Sequence, residues 1–187
     1  MKKPSNTEQI ESQWQEIAFS AALVMRMAGN YDLFCELTGG GDSAVFRNIL
    51  NLVWESVAGQ NQRIDFLKQQ EKLELITPDP EDFDMYGVWP ALDASVALSA
   101  LLSVCERWDQ AELDSIVTLS SSTIESYLAA IGDEEGDRHP LLLAEQACVQ
   151  QLNGIVQQSG SLSRPKVVAA LKEAIKALGV SNIGLEA

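Results

Sequence analysis

Basic residues, histidine and cysteine are all scarce in this chain of 187 residues. Thirteen Lys and Arg stand against 27 Asp and Glu, a formal charge of −14. Binding to a phosphate backbone is driven by Lys and Arg that release condensed counterions, so the deficit argues against a nucleic-acid partner. The single histidine, His139, excludes zinc sites built on paired histidines and ExxH di-iron bundles. It also leaves a Ser-His-Asp triad with one candidate base, in an acidic stretch just before Pro140, and no serine stands in a nucleophile-elbow context. The three cysteines, Cys35, Cys105 and Cys148, are far apart and odd in number. They make neither a disulfide framework nor a metal knuckle and read as reduced core thiols. Long apolar runs are missing too: Ala94 to Cys105, the longest, lies between Asp93 and Glu106 and falls short of the roughly 18 residues a membrane span requires. Glu8, Glu11 and Glu16 disrupt the apolar stretch that a secretion signal would place after Lys2 and Lys3. The expectation is a cytoplasmic protein of one helical domain, residues 1–187, with no membrane and no nucleic acid.

What the chain does have is helical periodicity. Ser5-Asn6-Thr7-Glu8 fits a capping box, after which Ile10, Trp14, Ile17, Ala21, Val24 and Met25 recur on one stripe. The stripe predicts a helix ending before Gly29-Asn30, then a short helix through Tyr31, Phe34 and Leu37 stopped by Gly39-Gly40-Gly41. Asp42 or Ser43 caps the next helix, whose apolar residues from Val45 to Val57 cover a broad arc. A more polar helix is expected from Ile64 to Ile76, ended by Pro78 and Pro80. Pro90 suits the first turn of a further helix, and the run to Trp108 is so rich in Ala, Leu and Val that it reads as the most buried element. Long amphipathic patterns follow over Gln110–Ile131, from Pro140 to Ile155, and from Ser163 to Leu178, the last closed by Gly179. No segment sustains a two-residue alternation. The predicted fold is all-α, a single-domain multihelical bundle of about seven to eight helices around a central apolar helix at about residues 90–108.

The acidity is concentrated. Between Glu71 and Arg138 sixteen acids face three bases, a balance of −13, while the rest of the chain is close to neutral. Surface acid of this kind keeps a protein soluble, and the same field attracts a basic protein surface or a divalent cation.

The stretch from Trp14 through Arg26, Asn30-Tyr31, Phe34, the Gly39 to Asp42 turn and Leu52-Val53-Trp54-Glu55, with the segment Asp82 to Leu98 and the closing Ser181-Asn182-Ile183-Gly184, resembles the YjaG-like family of bacterial proteins of unknown function. The likeness covers nearly the whole chain, and is weaker from residue 105 to 160. It implies an all-helical cytoplasmic bacterial protein and brings with it no activity, cofactor or catalytic residue.

Two constellations carry chemistry. Arg26, Asp84, Tyr86 and Asp93 form a candidate polar pocket at the entry to the apolar helix. A carboxylate there must be paired, hydrogen-bonded or protonated; first-turn amides, Arg26 or Arg47 are the partners the sequence offers Asp93. Glu71, Glu74, Glu81 and Asp84 spell ExxE followed by ExxD, the carboxylate pattern with which all-α hydrolases hold Mg2+ or Mn2+ at a phosphorylated substrate, although two prolines crowd the turn between the motifs. Gly39-Gly40-Gly41 reads as a helix stop and restart rather than a phosphate cradle, and Ser163-x-x-Lys166 as a helix cap. With no convincing catalytic set and no cofactor implied, the reading that leads is a non-enzymatic protein acting through protein contacts, as a homodimer or toward a basic partner met by the acidic middle segment. The alternatives are a divalent-metal-dependent hydrolase of a phosphorylated small molecule, or a small-ligand pocket near Asp93.

Overall fold

The computed structural model describes residues 6–60, 63–133 and 135–186, so the Ser5 capping box lies outside the described residues. Among the described residues seven α-helices follow in order: α1 (Asn6–Thr38), α2 (Ser43–Val57), α3 (Phe66–Glu74), α4 (Val88–Glu106), α5 (Gln110–Ile131), α6 (Pro140–Gln157) and α7 (Arg164–Leu178). Among the described residues there is no strand, only one antiparallel bridge between Val180 and Glu186.

Local chemistry sets the boundaries. Side chains of Asp42, Asp65 and Asp109 accept from free amides at the starts of α2, α3 and α5. Pro140 and Pro165 occupy the first turns of α6 and α7, where a missing amide costs nothing. Gly132 and Gly179 stop α5 and α7 in the left-handed conformation.

α4 is the hub, packed most extensively against α1 and then against α5 and α3. By length and composition it is, among the described residues, the one helix apolar enough to cross a membrane, but two thirds of it is buried inside the protein, as the core helix of a soluble protein would be. All seven helices contribute to one apolar core, with Leu98, Leu101, Val53 and Leu171 fully buried. A small second cluster, Ile124, Leu128, Leu142 and Ile183, lies between α5, α6 and the C-terminal segment.

One expectation fails at residues 29–30. Gly29-Asn30 does not end the first helix; α1 continues through both to Thr38, and its departure from helical angles lies instead at Gln13. Asparagine disfavours helix interiors because its amide competes for nearby backbone. Here that amide is engaged 152 residues away, by Asn182, and buried Gly29 lets the helix lie in the core. The true stop is Gly39, and Gly41 makes the restart. Gly41 has φ +69°, and a β-carbon there would meet the Tyr31 hydroxyl at 2.5 Å. That hydroxyl donates to the Ile76 carbonyl and accepts from the Asp42 amide, joining α1, the α2 cap and the end of α3.

Candidate ligand pocket and the polar relay beneath it

The C-terminal segment after α7 forms a hook. The Ser181 amide donates to the Leu185 carbonyl at 2.7 Å, and the Leu185 amide returns to the Ser181 hydroxyl. The hook drives Ser181 and Asn182 into the core, with 1% and 0% of their surface exposed. Asn182 Nδ2 donates to the Ser120 carbonyl on α5 at 2.9 Å, so its oxygen is left to accept, and Asn30 Nδ2 donates to it at 2.9 Å. Because a carbonyl only accepts, this chain fixes both amide orientations. The same Ser120 donates through its hydroxyl to Glu145 on α6, whose other oxygen accepts from Arg26 Nε at 2.7 Å. A continuous polar relay thus runs Arg26, Glu145, Ser120, Asn182, Asn30, beginning and ending on α1 one turn apart. Every member is buried. Two of its atoms have no partner among the described residues, Arg26 Nη1 and Asn30 Oδ1.

Above Asn30 lies a cavity of about 170 Å³. Its walls are Leu33, Phe34 and Leu37 from α1, Met85 to Gly87 and Pro90 at the start of α4, Tyr127 from α5, and Ile183 and Leu185 from the hook. Of its lining residues, Leu37 and Tyr86 are exposed. The Tyr86 and Tyr127 rings stand 6.1 Å apart at 48°. Phe34, at the back, meets Phe83 edge-on at 4.8 Å.

Of the four residues the sequence nominates for a polar pocket, Tyr86 lines this cavity; buried Arg26, half-buried Asp93 and exposed Asp84 are not among the lining residues. α4 begins at Val88, so Asp93 falls in its second turn, beyond the first-turn amides. It pairs with neither Arg26 nor Arg47: Arg26 is taken by Glu145, and Arg47 by Asp32 through Nε at 2.9 Å. Its partner is Thr123 Oγ1, which donates at 2.8 Å. Burial pushes the Asp93 carboxyl above the usual carboxylate range, and the Thr123 hydroxyl only partly offsets this. Burial, then the Asp93 charge and Tyr127, keep the Tyr86 phenol protonated above its ordinary value.

Glu71, Glu74, Glu81 and Asp84 do not form a metal cage. The first two lie on α3, Glu81 on a single 3-10 turn at Pro80–Asp82 and Asp84 in the loop beyond; all four are exposed, and they are not on facing helices. Asp133, Glu135 and His139 do gather within 4.8 Å of one another. There, however, His139 Nδ1 accepts from the Leu141 amide at 3.1 Å, capping α6.

The sequence marks Asn30 as a turn residue and does not mark Glu145, Asn182 or Tyr127 as site residues. One signal was available: Glu145 lies on the same stripe as Leu142, Cys148 and Leu152, a lone charge on an apolar face.

A family model described as "Protein of unknown function (DUF416)" matches residues 6–186. The chain belongs to the DUF416 family. Its relatives include an uncharacterized protein YjaG of Escherichia coli, 33% identical over 95% of this chain and 93% of that one. An uncharacterized protein of Haemophilus influenzae is 36% identical over 96% and 94%. A crystal structure of a DUF416 family protein from Shewanella baltica superposes with a TM-score of 0.85 at 32% identity, covering 99% of this chain and all of that one. Membership of the DUF416 family agrees with the likeness drawn from the residues and indicates no cofactor.

Proposed function

We propose that this DUF416 protein binds a small, largely apolar molecule in the cavity between the end of α1, the start of α4, Tyr127 and the C-terminal hook. One observation carries the reading: a largely apolar cavity of about 170 Å³ is lined by Leu33, Phe34, Pro90, Tyr127, Ile183 and Leu185, with Asn30 also in its wall. A cavity of roughly 150 Å³ holds a benzene molecule, so the ligand has on the order of six to eight heavy atoms. The pocket is concave and lined mainly by apolar and aromatic side chains, the usual form of a small-molecule site.

Calorimetric titration with hexanol tests this. Saturable binding to the wild-type chain, abolished in Leu33→Trp where the indole fills the cavity, is the expected result. Equal heats in both proteins would contradict it.

A second reading concerns the cytosolic partner expected of the acidic segment. Glu71, Glu74, Asp79, Glu81, Asp82 and Asp84 are all exposed, and among the described residues none of them is ion-paired. This favours contact with a basic protein surface, whose affinity would fall steeply between low and high salt. Association indifferent to ionic strength would refute it.

A further inference from the structure

We infer that the ligand is a primary amine on a short apolar body, its ammonium seated against the Tyr86 and Tyr127 rings beside the Asp93 carboxylate and its body among Leu33, Phe34 and Pro90. This rests on the cavity being a binding site and adds the chemistry that site selects.

No Lys, Arg or His lines the cavity, so an anionic ligand finds no counter-charge. Two tyrosines, Tyr86 and Tyr127, line the cavity, their rings tilted and 6.1 Å apart. A cation is attracted to the faces of such rings when within about 6 Å of a ring centre. Asp93, half-buried and outside the residues that line the cavity, supplies the negative charge, which acts on the Tyr86 phenol. It lies one turn along α4 from Pro90 in the wall, and its partner Thr123 lies one turn before Tyr127 on α5. Among the described residues no cation is paired with Asp93; its one hydrogen bond is from a neutral hydroxyl. A desolvated carboxylate without a cation beside two aromatic faces is the arrangement in which an ammonium replaces lost hydration. Residues 85–90 and Tyr127 also belong to the segment that carries −13, so the field at the mouth concentrates cations.

A neutral alcohol would satisfy the cavity's apolar walls but not Asp93, and a carboxylate would be repelled by it. The test is a calorimetric comparison of hexylamine, hexanol and hexanoate at neutral pH, with wild type, Asp93→Asn and Tyr127→Leu. The expected result is hexylamine tighter than hexanol by on the order of tenfold, with hexanoate weakest. Asp93→Asn retains an acceptor for Thr123 and should erase that preference while hexanol binds as before, which also reports that the pocket is intact. Tyr127→Leu should reduce the preference without abolishing binding. Hexanol or hexanoate binding as tightly as hexylamine, or a preference that survives Asp93→Asn, overturns the amine assignment and leaves the cavity reading standing. If none of the three binds at millimolar concentration, both fall.

Discussion

Glu145→Ala is the perturbation whose cost the structure fixes best. Glu145 and Arg26 form an ion pair at 2.7 Å, with both side chains 2% exposed. Removing the carboxylate strands the guanidinium, which already has one nitrogen without a partner, and leaves the Ser120 hydroxyl without its acceptor. Breaking a buried pair from one side costs about 3–5 kcal/mol, because the remaining charge stays desolvated and uncompensated. For a chain of this size each kcal/mol shifts the melting temperature by about 2–4 °C, so a fall on the order of 6–20 °C is expected. The double variant Arg26→Met with Glu145→Leu removes both charges at similar volume and should recover most of that loss. Urea denaturation of the wild type, Arg26→Met, Glu145→Leu and the double variant closes the cycle, with Glu145→Ala measured beside it. A loss below about 1 kcal/mol in Glu145→Ala, or a double variant as unstable as the sum of the singles, would refute the relay as a charge-compensated unit.

Asp93 gives a pH signature. Its native carboxyl titrates above the unfolded value, so between the two the native state holds more protons, and unfolding free energy falls as pH rises through that window. Asp93→Asn removes this dependence. Its stability relative to wild type should therefore grow from about pH 4 upward and then level off, as urea titrations at several pH values would show; a relative loss would reverse the sign and the argument. Gly39 and Gly41 separate two effects: both have φ near +70°, but only Gly41 crowds another group. Gly39→Ala should cost about 1 kcal/mol, and Gly41→Ala about 2–3 kcal/mol through displacement of Tyr31; equal losses in thermal melts would contradict the contact. Burial pushes the Cys148 thiol up to about 11 and raises Cys105 further. Both should resist a thiol reagent at about pH 8 until denaturant is added, and fast native labelling of either would count against their burial.

Helix periodicity carries its information locally, and local structure was correspondingly legible. Gln110–Ile131 matches the expected span, and α4 begins only two residues before Pro90 and ends two before Trp108. The proline and glycine stops fall where backbone chemistry requires them. Gly29-Asn30 misled because its local signal is overruled by Asn182, a contact no window of sequence contains. The site was less legible for the same reason. Tyr86 and Asp93 stand out as a polar pair before and within an apolar run, and the Asp93 charge does act on the Tyr86 phenol. Asn30, Tyr127 and Ile183 reach the cavity from separate parts of the chain, and nothing in their own neighbourhoods distinguishes them from turn or core residues. The ExxE and ExxD pattern shows the converse: spacing suggestive of a cage, on a helix too short and a loop too bent to close one.

The most direct test of the account follows the side-chain amides of Asn30 and Asn182 by two-dimensional NMR while hexylamine is added. The account predicts that both shift with one dissociation constant shared by the Ile183 methyls, since floor, relay and hook meet at the same cavity. Amides that stay still while the protein saturates with hexylamine elsewhere would contradict it.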